Sequence, residues 1–532
     1  MNLPRVLPLG DAAATVELGE SLDPETNARV RALDRALAEV PCSGLRETVP
    51  THRSLLVVYD PGAVRFDDLR RELVGRARQG ATAVPEGRHH DVPTLYGGES
   101  GPDLREVARS RGMSEAQAIH LHASREYTVF MLGFTPGFAY LGPLAEALET
   151  PRRPTPRVRV PPGTVAIAGR QTAIYPVASA GGWSLLGRTS RGLFDPYRAE
   201  PALLAPGDHV RFVPVPELPP PGPPKAPPAA AGPFALEVLE PGLLSTVQDG
   251  GRTGHRRSGV TAAGPMDARA FRAANRAVGN AEDAAAIECT ITGPTLLFLA
   301  PTRLAVAGAD LGAVLDRADL GPWPLPLGAA VLARPGNALR FLGRRFGCRA
   351  YVAIQGGIDV PPVLGARATD LRGGFGGMLG RALTTGDRLA LGSPTGAAGV
   401  DSPADTHARA ATVRVRVVLG PQDDHLETDS VALFLGTAWR VGQTSDRVAC
   451  RLEGPPLRHR GPAEILSDGM VPGSIQVPPD GRPIVMMADS PTTGGYPKLA
   501  TVVSADLPAL AQLVPGEGEV RFEAVAVEDA QG

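Results

Sequence analysis

Short apolar runs rich in β-branched residues, each cut off by glycine or proline, recur along most of the chain; TVAIAG at 164–169 and YVAIQGG at 351–357 are two of them. Apolar runs of this length between turn residues predict strands, and many in succession predict sandwiches or barrels. The N-terminal stretch reads differently. AATVELG (13–19) and SLLVVYD (54–60) have strand patterns, whereas 23–40 and 65–78 repeat their apolar positions at helical spacing, the first after an Asp-Pro start. Strand, helix, strand, helix predicts a small α+β unit over 1–85. Beyond it helical periodicity returns only in DLREVARSRG and SEAQAIHLHA.

Repeats sharpen the division. PGDHVRF (206–212), TGDRLAL (385–391) and PGEGEVRF (515–522) each read as a turn feeding a closing strand. A longer echo pairs PGTVAIAGRQTAIYPVASAGGW with PGSIQVPPDGRPIVMMADSPTTGGY, both ending in Gly-Gly-aromatic. Either shared hairpin chemistry or the same kind of pocket in each half explains it. Residues 213–233, dense in proline, predict an extended spacer that includes Lys225. The expected units are therefore 1–85, 86–212, the 213–233 linker, 234–400 and 401–532, in a mainly β chain with an α+β start.

Composition narrows the class. The 532 residues exceed one hydrophobic core. A net charge of −2 offers no footprint for nucleic acid, and no apolar run is long enough to span a membrane. Four scattered cysteines without a C-x-x-C pair indicate neither zinc nor a disulfide framework, and with no leader-like N-terminus they predict a cytoplasmic protein. Of 54 cationic side chains only Lys225 and Lys498 are lysine, and both follow proline, so neither a P-loop nor a biotin-acceptor turn is present.

Four constellations can carry chemistry. GFTPGFAYLG (133–142) is a rigid turn whose Phe134, Pro136, Gly137, Phe138 and Tyr140 can wall a pocket, with His122 upstream as a candidate acid/base. Gln171, Tyr175 and Trp183, with Asp195, sit in strands and glycine turns that suit a small polar ligand. Asp249, Arg252 and Asp267 punctuate glycine-rich turns, and Arg372 followed by Gly373 and Gly374 offers a guanidinium beside backbone donors. The last set gathers Asp446, Arg447, Glu464, Asp468, Asp489 and Lys498, with Gly473, Gln476, Thr493, Gly494, Gly495 and Tyr496 around them. A lysine kept where arginine is the rule points to a compact charge, for a phosphoryl or carboxyl oxygen, or to a pKa that burial can lower.

In this order the motifs resemble the families of the 5-oxoprolinase B and C subunits, also described as allophanate hydrolase subunits 1 and 2 and as the carboxyltransferase region of urea carboxylase. GFTPGFAYLG, VPPGTVAIAGRQTAIYP, GGWSLLGRT and LFDP are similar to the B family; QDGGRTGHRRSGVTAAGPMD, LRGGFGG, SDRVACRLEGP, VPGSIQVPPDG and TTGGYPKLATV are similar to the C family. The resemblance identifies a natural B–C fusion. It implies a ferredoxin-like domain followed by three cyclophilin-like β-barrels. It also implies ATP-dependent opening of the 5-oxoproline lactam to glutamate, with a separate 5-oxoprolinase A subunit, ATP and Mg²⁺, and it allows a homo-oligomer. In that reading Lys498 and Arg372 stabilise phosphoryl charge, and Asp468 and Asp489 move protons or hold a divalent ion, with Glu464 a further carboxylate; no dedicated metal-ligand set is assigned. The alternatives are carboxyl transfer to a urea-like acceptor from carboxybiotin on a separate carrier, and a non-catalytic regulator resembling sensor-kinase inhibitors. Arg170, Ala173, Ala180, Ala449, Cys450 and Leu379 depart from the family pattern, and Arg170 is expected to add positive charge near the B-half pocket.

Overall fold

The computed structural model describes residues 4–79, 86–222, 233–317, 320–394 and 411–532. Residues 223–232 of the proline spacer, with Lys225, lie outside the described residues.

The N-terminal unit is a four-stranded antiparallel sheet in the order Arg5–Pro8, Ala13–Glu17, Ser54–Tyr59, Leu45–Pro50. Helices Pro24–Glu39 and Phe66–Arg78 supply its other layer, burying Val30, Leu33, Leu37, Leu69 and Leu73 against Val16, Leu55 and Val57. The first helix starts where Asp23 accepts the Thr26 amide at 2.7 Å and Pro24 fixes the first turn.

Next comes a closed seven-stranded barrel built from His89–Tyr96, Glu126–Leu132, Ala139–Gly142, Thr164–Ala168, Gln171–Ile174, Ser184–Arg188 and His209–Pro214. Its last strand pairs parallel with its first, His209 opposite His89. The final unit repeats the device: Glu519–Ala524 lies parallel to Thr412–Leu419 and closes a second seven-stranded barrel. Both closing strands are the ones that the PGDHVRF and PGEGEVRF turns predict. Closure leaves no unpaired edge at that point of the sheet.

Between the barrels, residues 234–390 behave differently. They form two sheets, of six and five strands, that share one core through Leu236, Phe298, Leu304 and Val352. The strand predicted from TGDRLAL, Arg388–Ala390, ends the six-stranded sheet by pairing antiparallel with Phe234–Glu240. Of the three expected barrels, two are closed rings and the third is this pair of sheets.

Helices Leu104–Ser110 and Glu115–Ala123 stand where the periodicity places them, the second behind a Ser114–Gln117 capping box. Ala268–Ala277 and Thr428–Gly436 are helices that the pattern did not announce. No helix among the described residues is long and apolar enough to cross a membrane.

Candidate functional site

The two echoing segments face one another. In each half the Pro-Gly turn feeds a barrel hairpin, and the chain then returns through a two-stranded ribbon: Arg157–Val160 with Ser179–Gly181, and Asp468–Gly469 with Thr493–Gly494. The Gly-Gly-aromatic ends, Gly181-Gly182-Trp183 and Gly494-Gly495-Tyr496, line the same cavity of about 650 Å³. One site thus takes one wall from each half, within the usual size range for small-molecule sites.

The first-barrel wall is aromatic. Phe138 packs edge-on against Tyr140, Tyr175 and Trp183, with centroids 4.9, 5.1 and 5.9 Å away, and the Phe134 centroid is 5.4 Å from it. These rings give that side of the cavity an apolar, aromatic lining. Burial pushes the Tyr140 phenol up despite its contacts with Ser467 and Thr493, so at neutral pH it is a hydrogen-bond donor. The opposite wall mixes apolar Val448, Met470, Ile484 and Met486 with polar Ser467, Gln476 and Thr493. Four arginines, Arg152, Arg153, Arg372 and Arg451, face the cavity against two carboxylates, Glu464 and Asp480. Glu464 is 3.9 Å from Arg152. The excess of guanidinium favours an anionic ligand.

The halves are joined tightly at this wall. Thr493 Oγ1 accepts the Phe134 amide at 3.0 Å, Arg372 donates to the Phe134 carbonyl at 3.2 Å, and Gly137 donates to the Ser258 carbonyl at 2.8 Å. Gly133 has no room for a side chain, because an added Cβ would collide with the Thr493 hydroxyl. Gly133→Ala is accordingly expected to cost roughly 1–3 kcal/mol by prying the halves apart, read as a lower urea midpoint.

Lys498 does not line the cavity. It is 0 % exposed, and its Nζ lies 2.9 Å from Asp468 Oδ2, itself 1 % exposed. Gln422 donates to the same carboxylate at 3.2 Å and accepts the Lys498 amide at 3.1 Å, while the Ser54 hydroxyl, from the N-terminal sheet, donates to Asp468 Oδ1. Burial opposes ionisation of Asp468, but the Lys498 ammonium, the Ser54 hydroxyl and the nearby Arg53 overcome it and hold the carboxyl at about 2. Asp489 is equally enclosed: Arg447 donates to its two oxygens at 2.9 and 2.8 Å and reaches Glu288 of the middle unit with another nitrogen. These two buried clusters tie the units together behind the site. The fourth sequence constellation is therefore split into the Lys498–Asp468 pair, the Arg447–Asp489 pair, Glu464 at the cavity and Asp446 capping a turn through the Val448 amide at 2.8 Å.

Other predicted residues brace the frame. His122 is buried in the first barrel between the Tyr96 hydroxyl at 2.6 Å and Thr172 Oγ1 at 2.9 Å. Gln171 sits behind the wall, its amide nitrogen 2.8 Å from His52 Nε2. Asp249 accepts the Gly251 amide at 3.0 Å, and Asp267 caps a helix through the Ala270 amide at 3.0 Å. Arg252 donates to the Val363 carbonyl at 3.2 Å and lies 4.8 Å above the Phe375 ring. Gly373 donates to the Asp370 carboxylate at 2.7 Å, Gly374 to the Asp370 carbonyl at 2.9 Å, and Gly473 turns the chain at a φ of 93°. Pro136 shapes the 133–138 turn without lining the cavity, and Asp195 caps the Tyr197 amide at 3.0 Å. Of the departures from the family pattern, Ala180 and Ala449 line the cavity; Arg170 is exposed and does not.

Sequence reasoning passed over Arg152, Arg153 and Arg451 in the lining, and His52, Ser54, Gln422 and Glu288 in the buried clusters. Arginines in PRRPTPR look like ordinary surface charge, and nothing local to His52 distinguishes it. Burial drives both His52 and His122 down to about 3, so both are neutral in the folded chain. Their depressed values mean that the unfolded state binds more protons below its value of 6.5. Stability is thus complete above that pH and falls as pH drops through the window from 6.5 toward 3. The expected slope is about 1.4 kcal/mol per pH unit for each histidine. Urea unfolding between pH 7 and pH 4.5 checks it, and His122→Asn should remove about half of it.

Two closed rings of β-strand with one arginine-bearing cavity between them define the class, and comparison with known proteins agrees. The chain belongs to the carboxyltransferase-domain family: residues 4–204 match its subdomains C and D, and residues 258–524 match its subdomains A and B. Within it the N-terminal half is 43% identical over 215 residues to the 5-oxoprolinase B subunit of Escherichia coli O157:H7, covering 40% of this chain and 97% of that one. The C-terminal half is 39% identical over 298 residues to the 5-oxoprolinase C subunit of Escherichia coli K12, covering 56% of this chain and 93% of that one. The chain thus joins homologues of both in one polypeptide. The crystal structure of TTHA0988 shares the whole arrangement, with a TM-score of 0.84 and 38% identity over 96% of this chain and 99% of that one. The urea carboxylase of Kluyveromyces lactis is similar over 57% of this chain and 28% of that one, with a TM-score of 0.52 and 32% identity.

Proposed function

We propose that the chain is the B–C component of an ATP-dependent 5-oxoprolinase, working in the cytoplasm with a separate A subunit. The observation that carries this reading is the cavity walled by both halves, with an aromatic cluster on the first-barrel side and arginines contributed by each half. A flat five-membered lactam suits the Phe138–Trp183 wall, and its carboxylate and the nucleotide phosphates suit the arginines.

An unactivated amide resists water, so the reaction needs its oxygen converted into a leaving group. The lactam oxygen attacks the γ-phosphorus of ATP, forming an O–P bond as the bond to the departing ADP breaks. Water then adds to the ring carbon, the C–N bond opens with a proton passing to nitrogen to leave an acyl phosphate, and a second water displaces phosphate to give the free carboxylate. Arginine and Tyr140 donors aimed at the transferring group would lower the first barrier, because charge spreads over the phosphoryl oxygens in its transition state. Asp468 and Asp489, both inside ion pairs, would act from behind the wall by fixing its shape.

Among the described residues no group of three or more His, Cys, Asp or Glu is arranged to hold a metal. Mg²⁺ commonly takes one or two carboxylates and completes its shell with phosphate and water. Glu464 and Asp480 are the carboxylates of the lining that could serve a nucleotide-borne ion, whose chemistry would be to neutralise phosphate charge.

The urea carboxylase likeness favours a second reading, in which the same cavity takes a carboxyl group from a biotin carrier on another chain. ADP release separates the two. With ATP, Mg²⁺ and 5-oxoproline, in the presence and absence of the A protein, the first reading expects release that depends on 5-oxoproline. No lactam-dependent release even when the A protein is present would exclude it in favour of carboxyl transfer.

A further inference from the structure

Phe134 occupies a backbone conformation that bulky residues avoid. Its φ is +62°, in the left-handed region, and among the described non-glycine residues with positive φ it is the one aromatic. Such a conformation persists only where surrounding contacts fix it. The contacts here come from the other half: the Thr493 hydroxyl accepts its amide at 3.0 Å, and Arg372 Nη2 donates to its carbonyl at 3.2 Å. The Arg372 guanidinium also lies over the Phe134 ring, 5.7 Å from its centroid. Arg372 Nη1 is buried and has no hydrogen-bond partner among the described residues, and Arg372 lines the cavity. Asp370, nearest in sequence, is occupied by the Arg372 and Gly373 amides at 3.1 and 2.7 Å and by the Thr261 hydroxyl at 3.0 Å.

An enclosed guanidinium nitrogen without an acceptor is costly unless something supplies one. We propose that Phe134 is a positioning residue of the shared site. Its left-handed turn aims the carbonyl, and its ring supports the guanidinium, so that Arg372 presents Nη1 to an oxyanion of the bound ligand. The B half would then set the ligand-binding geometry of an arginine carried by the C half. This rests on the reading of the cavity as a site for an anionic small molecule, and it holds for a carboxylate or a phosphoryl oxygen alike.

Glycine accepts a φ of +62° freely, so Phe134→Gly keeps the turn while removing the ring. Calorimetric titration of the full chain with 5-oxoproline, ADP and inorganic pyrophosphate, beside thermal melts, tests the proposal. Phe134→Gly should weaken anion binding by about ten-fold with little change in melting, while Phe134→Tyr, which keeps the ring, should stay within about two-fold of the parent. Arg372→Met should cost less in the Phe134→Gly background than alone, because the two residues act together. Unchanged binding in Phe134→Gly, or full additivity with Arg372→Met, overturns the proposal, as does a parent chain that binds none of the three anions. Pyrophosphate binding that is weakened by Phe134→Gly, without any 5-oxoproline binding, upholds it while overturning the lactam reading.

Discussion

Lys498→Met is expected to destabilise the chain by about 3–5 kcal/mol, the cost of leaving a buried carboxylate without its counter-ion. Asp468 is 1 % exposed and takes its only cationic hydrogen bond from Lys498 among the described residues, at 2.9 Å. Lys498→Arg is expected to destabilise as well, because a side chain with no exposed surface leaves no space for a planar guanidinium. That accounts for lysine at 498 in a chain that uses arginine at every other cationic position but Lys225. If the cost is an orphaned charge, removing Asp468 too, in the Lys498→Met/Asp468→Leu double variant, should recover a large part of it, measured by urea unfolding. The pair also leaves an acid signature. The folded value of about 2 lies below the ordinary 3.8, so its stabilisation is present above about pH 4 and is lost as pH falls through 2. A double variant no more stable than Lys498→Met alone would show that the lysine acts through packing.

Arg372→Met is expected to lower 5-oxoproline-dependent ADP release by about 10²–10³-fold, the usual loss when one donor to a developing oxyanion is removed. The same change should move the melting temperature by only a few degrees, since the side chain makes one hydrogen bond among the described residues, to the Phe134 carbonyl, and leaves Nη1 unpartnered. Arg372→Lys should not restore activity, because one ammonium cannot keep the Phe134 contact and meet a ligand oxygen with a second fixed donor. Steady-state kinetics of the three chains in the presence of the A protein, beside thermal melts, checks both halves of the expectation. Equal losses of activity and stability would instead make Arg372 a bracing residue like Arg252.

The parts of this architecture that could be read in advance are those written locally. A Pro-Gly or Thr-Gly turn ahead of an alternating run announces a strand such as His209–Pro214 or Glu519–Ala524, because the turn needs those residues and the strand needs that period. Whether the strands close into a ring is decided by partners far away in sequence, so 234–390 could not be told from a barrel. Helix Ala268–Ala277 hid for another reason: ARAFRAANRA is short and lies between glycine-rich stretches, although Asp267 caps it. For the site, aromatic and glycine residues were legible because the two Gly-Gly-aromatic ends share a spacing. The carboxylates were not: Asp468 and Asp489 differ from Glu464 in burial alone, which depends on the Ser54 turn and on Arg447. Arg152 and Arg451 face the cavity only because two barrels dock across it.

If one cavity takes a wall from each half, each chain binds one ligand, and the stoichiometry reports it. Calorimetric titration of 5-oxoproline, in the presence of a non-hydrolysable ATP analogue, should give one equivalent bound per chain. Trp183→Ala on the first-barrel wall and Arg451→Ala on the second-barrel wall should each abolish the whole binding signal. Two equivalents per chain, or a signal only halved by either substitution, would mean that each half keeps a site of its own and would contradict the shared cavity.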